Sequence, residues 1–239
     1  MLRFSAACHE PHALTLPTHN VLLNNLLMEV PAASALPFQR VFLAPGEVSL
    51  GGDVCFPLDA LLMLKQVSAS HSAVDVAVVG RHACVGPANL WSSPMETVVM
   101  VPGYAYRLEW SCVQQDEGLY ASWLWHTTAA THALIQQMAQ TSYCVKYHNT
   151  TQRLASWLVM CLAQYGGTDL RLPLTHFPAS IRQVADTFQI AVSALENQGA
   201  IVLRDACIQN LNAERLAAAA CRCHSMVTHA NEVPQPRPL

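Results

Sequence analysis

Between Glu117 and Tyr147 no proline interrupts the chain, and no glycine follows Gly118. Apolar or small residues recur at Leu119, Trp123, Ala130, Leu134, Met138, Thr141 and Val145, close to a 3.5-residue seam over about four heptads. The spacing predicts one helix of about 30 residues, roughly 45 Å long at about 1.5 Å per residue. A rod of that length cannot bury itself on one small domain. The pattern therefore predicts a homodimer held by a partner helix over 117–147. The alternative is an interdomain helix packed on its own β domain.

The segments on either side have different periodicities. Ahead of the rod, VLLNNLL (21–27) has helical apolar spacing and Pro31 ends it. From Phe38 to Val113 short β-prone runs follow one another, punctuated by Pro45-Gly46, Gly51-Gly52 and Pro102-Gly103. Residues 20–116 thus read as a jelly-roll-like β domain, with the dimerisation helix at 117–148. Behind the rod, Asn149 or Thr150 starts a helix that Gly166-Gly167 closes. The stretch Leu174–Leu211 reads as helix, turn, helix and a small β-wing, a layout that puts one helix in the DNA major groove. AERLAAAACRCHSMV (213–227) predicts a closing amphipathic helix, and the Pro-rich end, 228–239, a disordered tail. The expected fold class is α+β, with a winged helix-turn-helix domain over 149–227.

Composition limits the function. The chain is 52% hydrophobic and only 12% charged, with a net charge of −3, which is not the bulk signature of a nucleic-acid binder. Lys65 and Lys146 are its two lysines. There is no run of 18 apolar residues and no secretory leader pattern at the N-terminus, so no membrane segment is expected and the protein reads as cytoplasmic. Nucleophile-elbow, phosphate-loop and H-E-x-x-H motifs are absent from the sequence, and an enzyme is not expected. His126 and His132 on the long helix read as packing or surface residues. The nine cysteines mostly sit in apolar surroundings and read as reduced core thiols.

Several strings carry a resemblance. VDVAVVGRHACVG (74–86), QTSYCVKYHNTTQRLASWLVM (140–160) with its Gln152-Arg153-Leu154-Ala155 core, and ERLAAAACRCH (214–224) are similar to segments of the Crp/Fnr family of bacterial transcription regulators. The likeness covers about residues 20–227. It implies a cyclic-nucleotide-binding-like β-roll, a dimer helix and a winged helix that binds a pseudo-palindromic DNA site. Nucleotide-binding members grip the cyclic phosphate with Gly-Glu and a following Arg-Ser/Thr pair. Here Gly80, Arg81 and Gly86 are present without that Glu or the following Arg-Ser. Cyclic AMP or GMP is therefore not expected. Arg81 is the candidate contact for another small-molecule effector, with a solvated turn as the plainer reading.

Family alignment places the recognition helix at about Val184–Asn197, with Asp186 or Ser180 as N-cap and Gly199 as C-terminal cap. The family's basic first turn reads Gln183, Val184, Ala185, Asp186 and Thr187 here. Candidate DNA contacts are Arg182, Gln183, Thr187, Gln189 and, on the wing, Arg204 beside Asp205. From Thr151 onward the chain has seven Arg, no Lys and six acidic residues, so few phosphates could be neutralised. The competing reading is a diverged, non-DNA-binding member that binds a ligand or a heterodimer partner. Iron–sulfur sensing lacks its N-terminal cysteine cluster, Cys8 being alone there. The Cys221-x-Cys223-His224 string lacks C-x2-C spacing and, on a helix, would point its cysteines to different faces. No cofactor and no metal are expected.

Overall fold

The structure, a computed structural model, describes residues 14, 16–48, 50–68, 73–86, 95–165, 169–223 and 225. Helix α1 (Val21–Glu29) is buried through Leu22, Leu23, Leu26 and Leu27 and is also fastened by the buried side chain of Asn20. Asn20 caps α1 by accepting from Leu23 N at 2.8 Å, while its Nδ2 donates to the carbonyls of Pro57 and Ala83. A single amide thus starts the helix and fastens it to the β-roll.

The β-roll has two antiparallel sheets. One has the order β1 (Gln39–Leu43), β7 (Gly103–Glu109), β3 (Asp53–Pro57). The other has the order β2 (Gly46–Glu47), β6 (Met95–Val101), β4 (Leu61–Val67), β5 (Ala73–Val79). Leu62, Val79, Val99 and Ala105 pack between them with Cys55. Burial pushes the Cys55 and Cys84 thiols up to about 12, in keeping with reduced core thiols.

A short helix α2 (Trp110–Gln115) leads into α3 (Glu117–Tyr147), which is capped by the Asp116 side chain and runs unbroken for 31 residues. The seam expected from the sequence divides between two faces. Leu119, Trp123, Ala130 and Leu134 pack inward on the β-roll, so the interdomain reading holds for that end. Glu29 of α1 helps to hold it, accepting from Ser122 Oγ at 2.5 Å and facing His126 Nε2 at 3.2 Å. A second stripe, which takes Met138 and Val145 from that seam, is exposed throughout: Leu124, Thr128, Thr131, Ile135, Met138, Ser142 and Val145. Its steps alternate four and three residues, the spacing of a two-stranded seam.

Helix α4 (Thr150–Tyr165) begins with a reciprocal capping box. Gln152 N donates to Asn149 Oδ1 at 2.9 Å, and Asn149 N donates to Gln152 Oε1 at 3.3 Å. Its glycine closure, Gly166-Gly167, lies outside the described residues. α4 packs on α5 (Ala185–Asn197) and α6 (Ala213–Ala219) beside a small sheet of order β8 (Leu172–Pro173), β10 (Cys207–Gln209), β9 (Val202–Arg204). The β9–β10 turn is Asp205-Ala206, both at positive φ, which matches the twist of a tight hairpin.

Two helical expectations fail here. The helix expected ahead of the recognition helix is only a 3-10 turn, Leu174–His176, followed by a single turn closed on Pro178 O by the amides of Ile181 and Arg182. Pro178 explains this: it holds Phe177 extended (φ −70, ψ 143) and offers no amide hydrogen of its own. The loop is anchored by side chains instead, Phe177 packing between Trp157 (4.8 Å) and Phe188 (5.6 Å). The closing helix also stops early. α6 ends at Ala219, Ala220 is extended, and Cys221 lies beyond the helix. The expected tail, 228–239, and Cys8 are outside the described residues.

Candidate functional site

The helix expected at about Val184–Asn197 is present as α5, Ala185–Asn197, but its start differs. Val184 is the N-cap and its side chain makes no capping bond, while Asp186 lies inside the first turn and Ser180 well upstream. The helix ends as expected in a Schellman motif: Gly199 has φ +64, its N–H reaches Glu196 O, and Ala200 N reaches Leu195 O.

Phe188, Ala191, Val192 and Leu195 turn α5 inward. The opposite stripe, at i, i+4, i+7 and i+11, is Asp186, Ile190, Ser193 and Asn197, all exposed. Ile190 is 67% exposed and Val184 56%. The candidates Thr187 and Gln189 are both exposed. They are two residues apart, so they leave the helix about 200° from one another, on opposite flanks of that stripe. Thr187 Oγ1 also donates back to Val184 O at 2.9 Å.

The cations are sparse. Arg182 is exposed, but its Nε donates to Phe177 O at 2.7 Å, which folds the side chain back on its own loop. Gln183 is exposed beside it, and Arg204 is exposed at the end of β9 next to Asp205. Asp186 puts a carboxylate at the helix N-terminus. There it suits the helix dipole and competes with any phosphate that would use the same amides. The sequence candidates lie on the polar flanks of this stripe, and its centre, Ile190 and Ser193, is marked in the sequence by the i+4 and i+7 spacing from Asp186.

Arg81, the candidate effector contact, is half-buried in a backbone junction. Its N–H donates to Gln164 O of α4 at 3.0 Å, and its carbonyl accepts from Val21 N at 2.7 Å. Its Nε is buried with no hydrogen-bond partner among the described residues. Residues 87–94, the rest of the phosphate-grip region, lie outside the described residues. A cleft instead opens where the β-roll, α3 and the winged helix meet, lined by Asp75, Gln137, Thr141, Arg153, Trp157 and Ser180 among others. Arg153 crosses it to donate to Ser180 O, and its burial lowers the guanidinium pKa.

The winged helix is docked against its own β-roll. Asp75 Oδ2 accepts from Ala179 N at 2.9 Å, while its other oxygen is 3.4 Å from Lys65 Nζ. His176 Nδ1 lies 2.8 Å from Met100 O. One continuous apolar core runs from Leu61, Met63 and Met100 into Leu158, Leu172 and Leu195.

The premise that put Cys221 and Cys223 on one helix does not hold, because α6 ends before them. They come together instead with Cys144 and His148 at the end of α3, all four ligand atoms within 4.8 Å of one another.

No family model and no curated sequence matches this chain. Solved structures do. FixK2 from Bradyrhizobium japonicum superposes with a TM-score of 0.58 at 14% identity, over 78% of this chain and 98% of that one. A CRP-family transcriptional regulator from Thermus thermophilus gives 0.56 at 11% identity, over 76% and 95%. A variant of CooA from Carboxydothermus hydrogenoformans gives 0.52 at 10% identity, over 86% and 96%. The chain therefore has the α+β fold of CRP/FNR regulators, in which a β-roll is joined by a long helix to a winged-helix domain.

Proposed function

We infer that this protein is a dimeric, CRP/FNR-like DNA-binding transcription regulator that reads its site through α5 with few phosphate contacts. One observation carries the reading. On a fold shared with transcription regulators, α5 is exposed along its outer side and offers hydrogen-bonding side chains, Gln189 and Thr187 among them, with Gln183 before them. Gln can pair with adenine and Thr with either kind of base edge, while Ile190 can lie on thymine methyls. Arg182 and Arg204 would supply the phosphate contacts. Dimerisation would use the exposed α3 stripe from Leu124 to Val145, which a second copy's stripe complements. A signal received at the β-roll would act through the packed interface it shares with the winged helix. None of the described helices is long and apolar enough to cross a membrane.

Asp186, with exposed Val184 and Ile190, favours a second reading in which the same face docks an apolar protein partner. Selection from a random-sequence DNA pool at low salt separates the two. Enrichment of a two-fold symmetric sequence supports the first. A pool that stays unenriched supports the second.

A further inference from the structure

We propose that Cys144, His148, Cys221 and Cys223 bind one zinc ion, which ties the end of α3 to the segment that follows α6. The site goes beyond the regulatory reading and does not depend on DNA binding. Cys144 and His148 are one helical turn apart, and His148 is the C-cap of α3, its N–H donating to Cys144 O. Cys221 and Cys223 arrive from more than seventy residues away, on chain that has left α6.

The spacing fits the metal. A tetrahedral zinc with Zn–S about 2.3 Å and Zn–N about 2.0–2.1 Å has ligand–ligand edges of roughly 3.5–3.8 Å. Here two of the six edges fall in that range, Cys144 Sγ to Cys221 Sγ at 3.5 Å and Cys223 Sγ to His148 Nδ1 at 3.8 Å, and all four ligand atoms lie within 4.8 Å of one another. Three sulfurs and one imidazole form the closed donor set of a structural site, a set that selects zinc over hard, oxygen-seeking cations.

The surroundings fit as well. Ser156 Oγ lies 2.9 Å from Cys221 Sγ and accepts from Cys221 N at 3.1 Å. The amide of Cys223 donates to the Cys221 sulfur. Donors of this kind orient and neutralise a ligating thiolate. Binding releases three thiol protons to solvent, forms four coordinate bonds and leaves the site at net −1. The Arg153 guanidinium lines the same cleft as Cys144 and Cys223, where it offsets that charge. A core thiol cluster kept only for packing would need neither the imidazole nor these donors.

The test uses the full chain, expressed with zinc and purified under reducing conditions without chelator, then depleted and titrated with cobalt. Expected are one zinc per chain and, with cobalt, the strong visible bands of a tetrahedral site plus thiolate charge transfer. Cys221→Ser with Cys223→Ser should weaken binding more than the roughly 10–100-fold expected for Ser156→Ala, and Cys207→Ser on the wing should leave it unchanged. If the double variant does not fold, competition of the unaltered chain with a chromogenic chelator decides, tight one-to-one binding being required. Substoichiometric zinc, an octahedral cobalt spectrum, metal uptake unchanged by the double variant, or a Cys144–Cys221 disulfide in protein that takes up no metal would each overturn the proposal.

Discussion

Gly80 packs against the backbone carbonyl of Gln164 with no room for a side chain. A Cβ there would stand 2.5 Å from the Gln164 oxygen, the same atom that accepts from Arg81 N at 3.0 Å. The turn after β5 and the end of α4 are thus fitted backbone to backbone. The pose of the winged helix on the β-roll depends on a residue without a side chain.

Gly80→Ala should therefore force the two parts slightly apart. A cost of about 1–3 kcal/mol is expected, typical of overpacking, with faster amide exchange at the C-terminal end of α4. Thermal unfolding with hydrogen-exchange mass spectrometry checks this. Exchange and midpoint both unchanged would mean that the contact does not hold the pose.

Asn20→Ala removes a helix cap and strands the carbonyls of Pro57 and Ala83 in the interior. The cap alone is worth about 1 kcal/mol, and each orphaned acceptor adds about 1–3 kcal/mol less any relaxation. Chemical denaturation should show a loss of about 2–4 kcal/mol. A change under 1 kcal/mol, on the same scale, would mean that water replaces the amide without penalty.

On α3, Ile135 and Met138 are 57% and 43% exposed. Ile135→Asp with Met138→Asp puts like charges face to face across the expected seam. Light scattering should show a dimer become a monomer with its helical circular dichroism kept. A dimer that survives the change places the interface elsewhere.

Much of this could be read in the sequence. The bounds of α3 followed from a run without proline or, after Gly118, glycine, and Gly199 marked the end of α5 because only a left-handed residue closes a Schellman turn. The first helix of the helix-turn-helix was misread because the layout of 174–211 was read as two helices without weighing Pro178, whose local effect is decisive. The residues read as one seam divide between two faces, Leu119, Trp123, Ala130 and Leu134 meeting the β-roll while Met138 and Val145 are exposed, because periodicity does not say which face meets which. The cysteine–histidine quartet was missed for a related reason. Its halves meet only in the tertiary structure, and the polyalanine run before Cys221 made the helix look longer than it is.

Asp186 sets an acid at the start of α5, where a DNA phosphate would approach. Asp186→Asn should tighten DNA binding several-fold and have a greater effect at low salt, since it removes a repulsion that salt screens. Affinity that is unaltered at every salt concentration would show that α5 does not approach the backbone by its N-terminus.

The most direct test is a salt titration of binding to the selected DNA, with Gln189→Ala in parallel. If Arg182 and Arg204 of each protomer carry the phosphate contacts, about four per dimer, log K should fall against log salt with a slope of about −3.6. Gln189→Ala should cost about 1–3 kcal/mol of sequence discrimination and leave that slope unchanged. No binding above that of unrelated DNA at low salt, or discrimination untouched by Gln189→Ala, would contradict the account.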